Sequence, residues 1–185
     1  MIVTEEEKVI FYKEISADSP INNLRIGNLD FYLDKGYRME WSLAYPETHE
    51  TNAWIYIQPN GVRNSFWIDM PYWQNDGNGH SSGLPNYVRG DSLAIHGANI
   101  NQTSPYGSGG EFVISKIPEP TDYGYSWRTQ ISRDDGVHCM TMVGGGMVHD
   151  GYYGPVNEIT FIDLVADGTG NGTPVWYGWI KVSKV

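Results

Sequence analysis

Two alternating runs at the end of the chain constrain the fold more than any other feature. Residues 159–166 and residues 175–182 are both rich in β-branched and aromatic side chains. In an extended chain the odd-numbered and the even-numbered residues of each run would point to opposite faces. Between the runs stands Asp-Gly-Thr-Gly-Asn-Gly, made of residue types that readily accept positive φ. The pattern predicts a β-hairpin that closes a sheet, and the very apolar second run predicts a buried closing strand.

Similar runs recur along the rest of the chain. Residues 37–45 alternate strictly and predict a strand with one face in the core and one in water. Residues 53–58 and 64–70 flank the turn signal Pro-Asn-Gly and predict a second hairpin. Further strand signals occupy residues 9–15, 24–33, 91–96, 110–117, 125–133 and 137–143.

These segments together predict an all-β fold. The turn signals between them, rich in the 22 Gly and 10 Pro of the chain, have the spacing typical of sandwiches and barrels. We expect a jelly-roll-like antiparallel β-sandwich of about ten strands in a single domain. Residues 1–19 are expected to form an N-terminal arm and first strand, and residues 20–185 the sandwich.

Charge and hydropathy exclude several classes of partner. The net charge is −10 with only 12 Lys and Arg, so a nucleic-acid partner is not expected. No apolar span approaches the roughly 20 residues of a membrane helix, so no membrane partner is expected. A lone Cys139 has no internal disulfide partner and is expected to be a small buried hydrophobe.

The residue types used in catalysis and metal binding lack the spacing that their chemistry needs. The histidines stand outside zinc-ligand spacing, and two Asp-Gly-Asn-type loops at Asp76 and Asp167 lack the bidentate Glu of a calcium loop. No Gly-x-Ser-x-Gly elbow occurs. We therefore expect no enzyme, metal or cofactor. The histidines are His49, His80, His96, His138 and His149, and the acids considered for glycoside hydrolysis are Glu40, Asp69, Asp91, Glu111, Asp134 and Asp135.

Residues 71–90 form the longest irregular stretch, rich in Gly, Asn, Pro and Ser but containing several aromatic residues. Long loops inside a compact domain are usually functional, and exposed aromatics either stack on sugars or anchor protein interfaces. Recognition is therefore expected in the loops 71–90 and 99–110, at a protein interface or at a glycan site. The candidate interface or ligand residues are Tyr72, Trp73, Asn75, Asp76, Tyr87 and Tyr106.

Several of these segments together resemble a β-sandwich module found in virion proteins of tailed bacteriophages. They are the early apolar segment at 28–31, the Tyr-x-Met-x-Trp strand at 37–41, the strand that leads to Asn60-Gly61 and the Gly-rich stretch 143–146. The last is the closing segment 157–180, in which Asn-Glu-Ile-Thr-Phe-Ile is followed by Gly-Asn-Gly and then by Trp-Tyr-Gly-Trp-Ile. The resemblance covers most of the chain, from residue 28 to residue 185.

This resemblance implies a non-enzymatic virion component. It implies a head decoration or cement protein, a head fibre or a tail-fibre module, with the major capsid or tail proteins as partners and a homotrimer as the oligomer. A chain that starts at Met1 without an export signal is expected to be made in the bacterial host cytoplasm and to end in the virion. The alternative is a carbohydrate-binding or receptor-binding module that holds a host-surface glycan with its loop aromatics.

Overall fold

A computed structural model describes the larger part of the chain. The described residues are 8–31, 33–45, 52–60, 72–75, 80–83, 93–98, 107–117, 123–132, 139–148, 159–169 and 175–185. They contain β1 (Val9–Ile15), β2 (Asn23–Ile26), β3 (Gly36–Ala44), β4 (Asn52–Pro59), β5 (Tyr72–Asn75), β6 (His80–Gly83), β7 (Leu93–Ala98), β8 (Gly107–Lys116), β9 (Tyr123–Ser132), β10 (Cys139–Val148), β11 (Ile162–Thr169) and β12 (Tyr177–Lys184). Within these ranges no helix is long and apolar enough to cross a membrane.

The strands form two antiparallel sheets that pack face to face. One has the order β1-β12-β3-β8-β9-β10-β5-β6 and the other the order β2-β11-β4-β7. The two sheets pack against each other and form the double layer of the fold. The predicted all-β, antiparallel, single-domain sandwich is confirmed. The jelly-roll connectivity stays a prediction.

The core lies between the inner faces of the two sheets. Along β3 the side chains of Tyr37, Met39, Trp41 and Leu43 are buried, while the alternate side chains are more accessible. The prediction of one core face and one solvated face for this strand is therefore confirmed. The space left between the layers beside Phe112 is only about 10 Å³, close to the size of one water molecule, so the interior offers no room for a ligand there.

The two alternating runs at the end of the chain do not form a hairpin. β11 pairs with β2 and β4 in the four-stranded sheet, whereas β12 pairs with β1 and β3 in the eight-stranded sheet. The hairpin prediction is wrong because an apolar inner face does not determine the partner of a strand. Two such strands can bury their inner faces as neighbours in one sheet or from opposite sheets across the core.

The last strand is nevertheless buried, as its composition predicts. Trp176 and Ile180 are fully buried, and β12 lies inside its sheet with a neighbour on each side. Gly178 has φ of 126°, and a Cβ there would collide with the carbonyl oxygen of Ser42 on β3. Only glycine accepts both this backbone conformation and this close approach of the neighbouring strand.

β4 also has partners other than the predicted one. Asn60 follows it with φ of 52°, which confirms a turn at this position. However, β11 pairs with one edge of β4 and β7 with the other, so β4 does not form the predicted hairpin with residues 64–70. Residues 64–70 themselves lie outside the described residues.

Part of the stretch 71–90 is regular rather than irregular. β5 pairs with β6 and also with β10, so this segment extends the eight-stranded sheet by two short strands. The composition hid them because both strands are only four residues long and stand among Gly, Asn, Pro and Ser, although Tyr72 and Trp73 themselves favour strands. Tyr72, Trp73 and Asn75 therefore stand in a strand and not in a loop.

Candidate functional site

The sequence-predicted site residues are only partly brought together. Tyr72, Trp73 and Asn75 lie in β5, where the backbone of Trp73 pairs with that of Val143 and Ser82. This places them at the margin of the eight-stranded sheet that is farthest from β1. Asp76, Tyr87 and Tyr106 lie outside the described residues, as does most of the loop 99–110.

Two of the acids considered for hydrolysis are neighbours. Glu40 on β3 and Glu111 on β8 are directly opposite each other, a position in which Cβ atoms are about 5 Å apart. Glu40 forms an ion pair with Lys181, and Glu111 lies 3.9 Å from Arg38. Two like charges at this spacing repel each other, and the two cations offset that repulsion. Ion pairing with the two cations is therefore sufficient to explain why Glu40 and Glu111 lie opposite each other. The acids Asp69, Asp91, Asp134 and Asp135 lie outside the described residues.

Metal-ligating side chains do not cluster in the part of the chain that the structure describes. No group of three His, Cys, Asp or Glu residues there is placed to hold a metal ion. His80 and His96 stand in β6 and β7, on different sheets, and Asp167 stands in β11. The backbone of Cys139 begins β10. His49, His138 and His149 lie outside the described residues.

A surface that the sequence did not predict forms where the first and last strands meet. The Lys184 amide donates to the Lys8 carbonyl at 2.9 Å, and the Val185 amide donates to the Gly36 carbonyl at 3.1 Å. The Lys184 ammonium also donates to Asp34 Oδ1 at 2.6 Å. These bonds bring three distant parts of the chain together. We call this surface the C-terminal corner and define it by Lys8, Val9, Leu33, Lys35, Lys184 and Val185.

Asp34 is the anchor of the C-terminal corner. Tyr37 donates its hydroxyl proton to Asp34 Oδ2 at 2.6 Å and accepts the Asp30 amide at 2.6 Å. The hydrogen bond from Lys184, followed by the one from Tyr37, lowers the pKa of Asp34 below its usual value. Burial, followed by the bond to Asp34, raises the pKa of Tyr37 to about 12. The aspartate is therefore ionised, and the phenol neutral, at physiological pH.

The C-terminal corner exposes apolar side chains on a fixed backbone. Leu33 is 84% exposed, Val9 50% and Val185 39%. The Asp34 amide donates to the Asp30 carbonyl at 3.0 Å and the Leu33 amide to Asp30 Oδ1 at 3.2 Å, so the turn that carries Leu33 is hydrogen-bonded. With the exposed lysines Lys8 and Lys35 beside it, this surface is both apolar and cationic.

The adjacent edge strand β1 is less suited to sheet extension. The register shifts between Val9 and Phe11, which marks a bulge or irregularity, and Lys13 is exposed opposite the core residue Ile180. Irregular pairing and a charge on the inner face are devices by which proteins prevent another strand from adding to an edge. The exposed side chains of the C-terminal corner are therefore a better interaction surface than the backbone of β1.

No protein-family model matches the chain, and no curated protein matches it either. The sandwich part of the resemblance to virion modules is confirmed by the two antiparallel sheets. The bacteriophage part of that resemblance stays a prediction.

Proposed function

We propose that this chain is a non-enzymatic structural protein of a tailed-bacteriophage virion, of the capsid decoration, cement or fibre type. In this proposal the C-terminal corner contacts other virion proteins, and the chain forms a homotrimer in the particle. The observation that carries the proposal is the 84% exposure of Leu33 on a hydrogen-bonded turn, together with the exposure of Val9 and Val185 at the ends of β1 and β12. Exposed apolar side chains grouped in this way favour a protein contact.

The fixed backbone of the C-terminal corner supports this function. Binding costs less free energy when the contacting groups are already ordered in the free protein. Here Asp34, Tyr37 and Lys184 form ion-pair and hydrogen-bond contacts that hold the turn and the last strand together before any partner arrives. The ordered turn, together with the lysines around it, suits a partner with apolar and acidic side chains.

Virions from the phage that encodes the chain test the proposal. The wild-type protein should be present in purified particles at a fixed copy number, measured by quantitative mass spectrometry. Leu33→Asp should fall at least severalfold in copy number with an unchanged melting temperature, because it places a charge in the apolar contact. Tyr12→Ser is the matched control, since Tyr12 is 59% exposed but lies outside the C-terminal corner. Particles without the wild-type chain would overturn the proposal.

A second candidate function is glycan binding on the outer face of the eight-stranded sheet. Tyr12 on β1 is opposite Lys181, and continuing the register across Glu40, Glu111 and Arg128 leads to Val143 and Trp73. The backbone of Trp73 therefore stands in the same cross-strand row as an exposed tyrosine. Aromatic side chains stack on sugar rings, which favours this reading.

A glycan array separates the two functions. If the chain acts only as a structural protein, no glycan on the array should be bound. Binding of one glycan class that Trp73→Ala abolishes, with Tyr72→Ala as a neighbouring aromatic control, would replace the structural proposal with the glycan-binding one.

A further inference from the structure

We propose that residues 1–7 of one copy of the chain bind the C-terminal corner of a second copy, so that copies associate by exchanging N-terminal arms. The inference rests on the proposed assembly function, because it names the partner that the C-terminal corner takes. The occupant is a defined segment of the same chain, Met-Ile-Val-Thr-Glu-Glu-Glu.

The charges of the two surfaces are complementary. The arm carries three consecutive acids, Glu5, Glu6 and Glu7, and no basic side chain. The C-terminal corner carries Lys8 and Lys35 as exposed side chains, besides Lys184, whose ammonium is already paired with Asp34, in a chain of net charge −10. Placing the acids of the arm at this cationic surface is favourable, whereas most other parts of so acidic a protein would repel them.

The apolar side chains are complementary as well. The arm begins with Met1, Ile2 and Val3, and the C-terminal corner exposes Leu33, Val9 and Val185. Burial of apolar surface on both sides supplies affinity, while the charged groups determine which surface is chosen. An arm that combines apolar and acidic residues therefore matches both properties of the C-terminal corner.

The position of the arm favours contact with a neighbouring copy. Lys8, the residue that follows the arm, is held at the C-terminal corner through its carbonyl bond to Lys184. To cover its own corner the arm would have to reverse direction at once, yet residues 1–7 contain no Gly, Pro, Asn or Asp to favour a tight turn. Seven extended residues span at most about 25 Å, which is enough to reach across to an adjacent molecule.

A charge swap tests this inference in the full chain. One variant, Glu5→Lys with Glu6→Lys and Glu7→Lys, makes both arm and corner cationic, and the other, Lys8→Glu with Lys35→Glu, makes both anionic. We expect the wild type to self-associate in sedimentation experiments and each variant alone to associate at least about tenfold more weakly. An equimolar mixture should regain association, because each arm then meets a corner of opposite charge. Removal of residues 1–7 should also abolish association.

A matched control has the same change in charge outside the C-terminal corner. Lys13→Glu with Arg128→Glu alters two other exposed cations and should leave self-association within about twofold of the wild type, since rim charges far from a contact contribute little. Circular dichroism melting curves of all variants establish that each one is folded.

Three results would overturn the inference: a wild type that stays monomeric at every concentration, unchanged association after removal of residues 1–7, or a mixture that associates no better than its components. The proposed function fails separately, when the chain is absent from purified virions. A monomeric chain found in virions would overturn arm exchange alone, and a self-associating chain absent from virions would overturn the virion function alone.

Discussion

β11 and β12 are consecutive strands with similar alternating patterns, yet they lie in opposite sheets. β11 is joined to its surroundings by polar contacts at the surface as well as by its buried face. Arg25 on β2 makes two hydrogen bonds to Asp163 at 2.7 and 2.8 Å, and its guanidinium lies 4.1 Å from the ring centroid of Phe161. The same strand pattern thus serves two different positions, which the neighbouring segments determine.

β12 combines buried side chains with close packing of its backbone against β3 at Gly178. Trp176 and Ile180 are fully buried, and the strand has β1 on one side and β3 on the other. The side chain of Lys184 adds one ion pair at the end of the strand. Removal of β12 is therefore expected to affect the whole fold, whereas loss of a surface polar contact beside β11 should have a smaller and more local effect.

The largest expected effect is the loss of β12. Truncation after Pro174 should abolish folding, because it removes the strand between β1 and β3 together with the fully buried Trp176. Circular dichroism melting should show no cooperative transition. Removal of Val185 alone, which ends the chain just after β12, is the control and should preserve the transition. A soluble truncated protein with a cooperative melt would show that β12 is dispensable.

Gly178→Ala should have the next largest effect. The positive φ and the collision of a Cβ with Ser42 on β3 should together reduce the free energy of unfolding by at least about 2 kcal/mol. Gly27→Ala is the matched control, since a Cβ at Gly27 meets no atom within 4 Å. Chemical denaturation measures both. Equal stability of the two variants would contradict the close β12–β3 packing.

A smaller effect is expected on the β11 side at Asn60. Its Oδ1 accepts the amides of Thr160 and Phe161 at 2.9 and 3.1 Å, which ties the end of β4 to the segment before β11. Asn60→Ala loses these bonds and strains the positive φ, for about 1–3 kcal/mol. Asn60→Gly loses only the bonds and should be the more stable variant in denaturant melts. The reverse order would mean that backbone strain is unimportant here.

The smallest effect concerns the Asp34 contact at the end of β12. Because the folded state lowers the pKa of Asp34, this group stabilises the protein above the usual carboxylate pKa, and that contribution disappears as the pH falls through the lowered value. The melting temperatures of wild type and Asp34→Asn should therefore converge on acidification. Lys184→Met keeps the Tyr37 bond and should retain part of the pH dependence. A constant difference between wild type and Asp34→Asn would contradict the ion-pair explanation.

The local pattern was sufficient to predict strands and their buried faces. The first strand was predicted at residues 9–15, the bounds that β1 has, and the buried face of residues 37–45 was predicted residue by residue. Both predictions succeed because alternation reflects an amphipathic strand without reference to its partners. The short strands β5 and β6 were missed because they stand in a stretch rich in loop-forming residues and pair with strands that are close only in the folded chain.

The sequence by itself determined that this protein is an antiparallel β-sandwich with a buried last strand. Only the tertiary structure decided that β11 and β12 lie in different sheets, and that Asp34 meets Lys184 across 150 positions. Strand pairing depends on contacts summed over the whole fold. A local pattern shows that each strand has an apolar face, but it does not show whether the two strands bury these faces in one sheet or in opposite sheets. The C-terminal corner, with Leu33 beside both strand ends, exists only once that choice has been made.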